Sequence, residues 1–210
     1  CIKALKQGKI IAVKNIGGYH LMCDATSAEA IAILRNKKQR PDKPFAVLME
    51  LSQIEQYVDA TKQELNLLQE MSRPIVLIKS KNNCELLPNL APGLNRIGVM
   101  LPSNPLQYLM CHFFKKPLLA TSANISGEPI ITDNDDATNR LKKICDGFLH
   151  HNREIVRPAD DPVMSHNNLN KQILKINKPL SSKGFHHLQL NLLIMSYEEN
   201  ILQDKHLQSQ

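Results

Sequence analysis

Arg35-Asn36-Lys37-Lys38-Gln39-Arg40-Pro41-Asp42-Lys43-Pro44 joins two patterns of different period. Ahead of it, Ala30, Ile31, Ile33 and Leu34 recur at helical spacing. Behind it, Phe45-Ala46-Val47-Leu48-Met49 is a continuous apolar run of strand length. Pro41 and Pro44 stop the helix, because proline lacks the amide proton and restricts its predecessor. A helix, a rigid turn and a buried strand in succession predict an α/β fold. The turn carries Arg35, Lys37, Lys38, Arg40 and Lys43. Any one of them is explained by the helix dipole, which favours cations at a C-terminus. Together, pinned by two prolines, they suggest a site for a multiply charged anion such as a phosphate chain.

Upstream, a short helix over 2–7 is closed by Gly8. Lys9 to Lys14 reads as a buried strand, Asn15-Ile16-Gly17-Gly18 as a turn and Tyr19 to Asp24 as a second strand. Thr26 or Ser27 caps the helix that leads to Lys38. Downstream, helices are predicted over 51–58 and 62–71, and a strand over 74–79. A long Asn-, Pro- and Gly-rich connection follows over 80–96, then a strand over 97–101 and a helix over 105–114.

Leu118-Leu119-Ala120 is a short strand running into Thr121-Ser122-Ala123-Asn124-Ile125-Ser126-Gly127. Hydroxyl and amide side chains satisfy turns. At a strand end in an α/β sheet they also hold ligands. A helix over 133–143 and a strand over 147–150 follow. Asp160-Asp161 are adjacent carboxylates without further ligands, more typical of a solvated loop than of a metal site. His20 on its strand reads as structural, the alternative being contact with the ligand.

The chain of 210 residues is 42% hydrophobic, enough for a real core. No apolar run reaches the length that crosses a bilayer. The net charge is +6 and the pI near 9.1, which favours anionic partners. Aromatics are 4% and Trp is absent, which ranks single-strand nucleic-acid stacking below a small ligand. The five cysteines lie scattered, without C-x-x-C pairs, as in a cytoplasmic protein with reduced, buried thiols. The start, Cys1-Ile2-Lys3-Ala4-Leu5, reads as the cut edge of a longer polypeptide. From 166 onward the pattern thins into Asn, Gln, Lys and Ser, with Leu192-Leu193-Ile194-Met195 as an apolar island. The expected division is therefore a domain over 1–165 and a tail over 166–210, poorly packed or a terminal helix.

Lys38-Gln39-Arg40 with Ser122-Ala123-Asn124, in this order and at this separation, resembles the YrdC-like family. The flanks resemble its HypF branch: Lys14 to Leu21, Ala91-Pro92-Gly93-Leu94-Asn95, Gly98 to Pro102, Asn152-Arg153-Glu154-Ile155 and Asp160-Asp161. The free-standing threonylcarbamoyl-adenylate synthase branch has a Pro-Thr-Asp-Thr-x-Tyr-Gly-Leu-like stretch in place of Lys14 to Leu21. Two departures stand out. Pro162 sits where that branch has serine, and Ile173 to Pro179 replaces its arginine-rich closing segment.

The resemblance implies a twisted mixed sheet with flanking helices and a concave basic cleft. It implies formation of carbamoyl adenylate from ATP and a carbamate derived from carbamoyl phosphate. That is the middle step of carbamoyl transfer in hydrogenase maturation, with Mg²⁺ on the triphosphate. Lys38 and Arg40 would be catalytic. Lys43, Thr121, Ser122, Asn124, Ser126 and Lys14 would bind nucleotide and carbamate. Other domains, absent from these 210 residues, would pass the carbamoyl group to the accepting maturation protein. The alternatives are threonylcarbamoyl-adenylate synthesis for tRNA modification, double-stranded RNA binding in the basic cleft, and an inactive fragment.

Overall fold

The computed structural model describes residues 1–175 apart from 83, 85, 125–127, 168 and 169. The chain opens with α1 (Ile2–Lys6), β1 (Ile11–Lys14), β2 (Tyr19–Asp24), α2 (Ala28–Lys37) and β3 (Ala46–Leu48). A single 3₁₀ turn (Leu51–Gln53) leads to α3 (Ile54–Tyr57), α4 (Lys62–Leu68), β4 (Ile75–Lys79), α5 (Leu87–Leu90) and β5 (Arg96–Met100). Then come α6 (Pro105–Phe114), β6 (Leu118–Ser122), α7 (Asn134–Leu141), β7 (Gly147–Leu149), β8 (Val163–Asn167) and β9 (Asn170–Lys175).

The strands form one mixed sheet in the order β7-β1-β2-β6-β3-β5-β4-β8-β9. β1 and β2 are an antiparallel hairpin, with Lys14 opposite Tyr19. β6 lies between β2 and β3, antiparallel to both. This brings the start of β2, the end of β6 and the start of β3 to one edge, together with the end of β1.

Side chains alternate between the two faces of a strand. Tyr19, Leu21 and Cys23 enter one core with Leu34 of α2 and Phe45. Met22, Val13 and Leu48 enter the other with Leu5 of α1 and with Met110 and Phe114 of α6. Both faces of β1 and β2 are covered, so every residue of these strands is buried. Helix starts follow the sequence signals. Ser27 caps α2, Thr61 and Glu64 form a capping box on α4, and Asn104 caps α6 with Pro105 in its first turn.

Three features depart from the sequence expectations. The 80–96 connection contains α5, whose Leu90 is fully buried. β6 continues through Thr121 and Ser122 because both keep ladder partners on β2, Leu21 and His20. The sheet also runs past the expected boundary at 165. β8 lies parallel to β4 and β9 turns back antiparallel to β8, so His166, Asn167 and residues 170–175 belong to the sheet. A hairpin with polar ends can join a sheet edge when backbone pairing holds it. Residues 176–210 of the expected tail lie outside the described residues.

Candidate functional site

α2 ends at Lys37, and Gln39 then takes the left-handed conformation (φ 49°) common just past a helix end. The reversal directs Lys38 and Arg40 toward β6. Lys38 Nζ donates to the carbonyl oxygens of Ser122 at 2.5 Å and Asn124 at 3.2 Å. Arg40 Nη1 lies 3.4 Å from Thr121 Oγ1, and its Nη2 donates to the Pro44 carbonyl at 2.6 Å. The Arg40 guanidinium also stands 5.0 Å above the Phe45 ring.

Arg35 holds the turn together. Its Nη1 donates to the carbonyls of Arg40, Pro41 and Lys43, and its other nitrogens to those of Asn89 and Leu90. A planar fork with several fixed donors suits this task as an ammonium could not. The sequence pattern counts Arg35 among the cations of the anion site. In the fold it is the brace of the turn.

Lys38 and Arg40 make no ion pair with a carboxylate among the described residues. Burial and the nearby Arg40 lower the Lys38 ammonium to about 8. Burial and the nearby Arg35 lower Arg40 to about 10. The Arg40 Nε hydrogen is buried without an acceptor. Such an arrangement disfavours charge until an anion arrives.

Ser122 Oγ donates to Asn124 Oδ1 at 2.6 Å, and Asn124 Nδ2 to the Glu128 carbonyl at 2.7 Å. The Ser-x-Asn motif thus shapes its own loop. Ser126 lies outside the described residues. Lys43 is exposed and enters the group through its carbonyl, which accepts from Arg35. Lys14 is buried and donates to Asn134 Oδ1 at 2.8 Å and to the His151 carbonyl at 3.3 Å.

The structure adds residues that the motifs did not single out. Tyr19, fully buried, shares Asn134 Oδ1 with Lys14 and meets His150 Nδ1 at 2.6 Å. Burial, with Asp133 nearby, raises its phenol to about 12, so it stays a hydrogen-bond donor. The signal was strand alternation, which places Tyr19 opposite Lys14. Asn134 was visible only as a position inside the helix expected over 133–143, and the structure makes it the first residue of α7, after the Asp133 cap.

The loops carrying Lys38-x-Arg40 and Ser122-x-Asn124 therefore touch directly. Two surface hollows, of about 350 and 450 Å³, are lined by other residues, including Glu50, Arg73 and Tyr108 in one and Lys6 and Lys116 in the other.

The profile of the Sua5/YciO/YrdC family, described as "Telomere recombination", matches residues 3–176. The chain belongs to this family. Within the Sua5/YciO/YrdC proteins it is similar to HypF carbamoyltransferases. It is 50% identical over 161 residues to "Carbamoyltransferase HypF" of Synechocystis sp., covering 76% of this chain and 21% of that protein. A "Threonylcarbamoyl-AMP synthase" of Photobacterium profundum is 27% identical over 146 residues, covering 67% of this chain and 78% of that one. A solved full-length HypF in a "phosphate- and nucleotide-bound form" superposes with a TM-score of 0.79 at 44% identity, over 82% of this chain and 27% of that chain. The chain thus spans about a fifth of the length of the HypF relatives it matches.

Proposed function

We propose that this chain binds ATP and a carbamate and joins them as carbamoyl adenylate, the middle step of HypF-type carbamoyl transfer in hydrogenase maturation. The observation that carries the reading is the state of Lys38 and Arg40. Both are partly buried and aimed at the hydroxyl-bearing loop, and both hydrogen-bond to neutral oxygens rather than to carboxylates. The HypF relative bound to phosphate and nucleotide supports an anion of that class.

Displacement at phosphorus needs positioning and charge neutralisation more than covalent chemistry. Arg40 would offer its fork to phosphate oxygens, with Thr121 beside it. Lys38 would exchange its carbonyl partners for the carbamate or the α-phosphate. Ser122 and Asn124 would donate to the same group once their mutual bond opens, and Lys14 would add charge from β1. Mg²⁺ arrives on the triphosphate, held by phosphate oxygens and water. Among the described residues no group of three His, Cys, Asp or Glu is placed to hold a metal by itself. The concave cleft that would exclude water belongs to this proposal.

Titration calorimetry of the 210-residue chain with Mg²⁺-ATP, then with carbamoyl phosphate, tests the reading, followed by carbamate-dependent ATP–pyrophosphate exchange. Saturable ATP binding that Arg40→Ala abolishes is the expected result. Absence of ATP binding to the unaltered chain overturns it. The second reading, threonylcarbamoyl-adenylate formation, has in its favour the more distant synthase relatives. It requires threonine to bind where carbamate alone suffices for the first.

A further inference from the structure

Opposite the face that carries Lys14 and Thr121, the same sheet edge holds a second polar group. His20 on β2 stands directly opposite Ser122 on β6. Opposed residues of an antiparallel pair project from the same face. The imidazole and the Ser122 hydroxyl therefore share one side of the strand ends.

His20 is 8% exposed and gripped at both nitrogens. Nε2 lies 3.3 Å from Asp161 Oδ2. Nδ1 lies 3.5 Å from Asn15 Nδ2. Asn15 is itself oriented, because its Oδ1 accepts from Asn104 Nδ2 at 2.5 Å. It therefore turns its N–H group toward the ring. A carboxylate on one nitrogen and an N–H donor on the other fix the tautomer, with the proton on Nε2 and a lone pair on Nδ1. At 3.5 Å the Asn15 contact is at the long limit of a hydrogen bond. A better donor would displace it.

The loop bearing Asp161 is fastened to the hairpin bearing His20. Ala159 N donates to the Gly17 carbonyl at 3.0 Å, and a Cβ on Gly17 would lie 2.5 Å from the Ala159 oxygen. The dyad is thus built by close backbone packing.

We infer that His20 Nδ1 accepts an N–H of the carbamoyl group and so selects carbamoyl over other small acyl groups. This rests on the carbamoyl-adenylate reading. A carbamate presents two oxygens and an NH₂ group. Lys38 and Arg40 carry donors alone and read the oxygens. The NH₂ needs an acceptor, and the His20 lone pair supplies one on the Ser122 side. Asp161 acts through His20 as a positioning residue, holding the proton on Nε2.

Two unreactive adenylate mimics, the carbamoyl and acetyl derivatives of 5′-O-sulfamoyladenosine, differ only in NH₂ against CH₃. Their dissociation constants for the 210-residue chain are measured by calorimetry. The unaltered chain is expected to favour the carbamoyl compound by about tenfold, the scale of one buried hydrogen bond with its desolvation. His20→Leu should bring the ratio near one while leaving the acetyl compound's affinity unchanged. His20→Asn places an amide oxygen near the Nδ1 position and should restore part of the preference. Asp161→Asn can offer an N–H to Nε2, move the ring proton to Nδ1 and collapse the ratio with His20 in place. Should His20→Leu fail to fold, Asp161→Asn decides. A merely structural His20 weakens both compounds alike and leaves the ratio intact, which overturns the inference while the adenylate reading stands. Failure of both compounds to bind the unaltered chain overturns the two together.

Discussion

The Lys38 ammonium lies 2.5 Å from the Ser122 carbonyl oxygen, although 84 residues separate them in the chain. This one contact fastens the turn after α2 to the end of β6. It also places a cation against a strand end whose other groups are hydroxyls and amides. In the proposed reading an anion would enter by taking the place of the carbonyl oxygens that accept from Lys38.

Replacing Lys38 by methionine keeps an unbranched stem one atom shorter and removes the charge. Two carbonyl contacts are lost, and so is the cost of withdrawing a cation from water without an anion. These effects oppose each other, so urea-unfolding stability should change by less than about 1 kcal/mol. ATP affinity should fall by at least about tenfold, since one charge-assisted hydrogen bond contributes about 1.5–3 kcal/mol. Calorimetry and urea titration of Lys38→Met measure both. Lost stability with unchanged ATP affinity would make Lys38 a loop fastener alone.

Arg35→Ala should act in the opposite sense. Arg35 donates to five backbone carbonyls, of which that of Leu90 also accepts from Phe45 N. Its guanidinium also lies 4.4 Å above the Phe45 ring. Loss should cost about 2–4 kcal/mol in urea unfolding, because several oriented donors go at once. Arg35→Lys should recover less than half of that, since an ammonium cannot span the carbonyls of both segments.

Much of this site was legible because its parts obey local rules. Periodicity and the proline pair placed Lys38 and Arg40 just past a helix, and the Ser-x-Asn stretch followed an obvious buried strand. The roles within the turn were not legible. Arg35, Lys38, Arg40 and Lys43 look equivalent in sequence, yet one braces, two aim inward and one is exposed. Their division of labour depends on Gln39 adopting φ 49° and on which carbonyls α5 brings near. The β8–β9 hairpin escaped detection because Ser165, His166, Asn167 and Asn170 carry no strand signal, and pairing along β4 is what orders β8. The His20–Asp161 contact spans 141 positions and follows from the packing of Gly17 on Ala159.

Gly17→Ala tests that packing. The added methyl would meet backbone, 2.5 Å from the Ala159 carbonyl oxygen, which cannot rotate away as a side chain could. The loop must shift, at a cost of about 1–3 kcal/mol in urea unfolding. Gly18→Ala meets the Cγ2 methyl of Ile130 still more closely, and that methyl sits on a branched Cβ with little rotamer freedom. Both substitutions should destabilise the fold, and Gly17→Ala, which displaces the loop bearing Asp161, should perturb the His20 ring resonances in NMR.

The depressed ammonium of Lys38 contributes a pH dependence of known sign. Its folded value of about 8 lies below the ordinary 10.5 of an unfolded lysine. Below about pH 8 both states are protonated, and the folded state bears the full cost of a buried charge. Between about 8 and 10.5 the unfolded chain keeps the proton that the folded chain has shed, so this group's contribution makes folding more favourable as pH rises. Urea unfolding at pH 7 and pH 9 should show the unaltered chain gaining stability relative to Lys38→Met across that interval. An anion bound at Lys38 reverses the effect by favouring the charged form. ATP binding near pH 8.5 should then take up a fraction of a proton, read as a dependence of the calorimetric heat on the ionisation enthalpy of the buffer. Lys38→Met should show none of that component. Equal proton uptake by the two proteins would place the titrating group elsewhere.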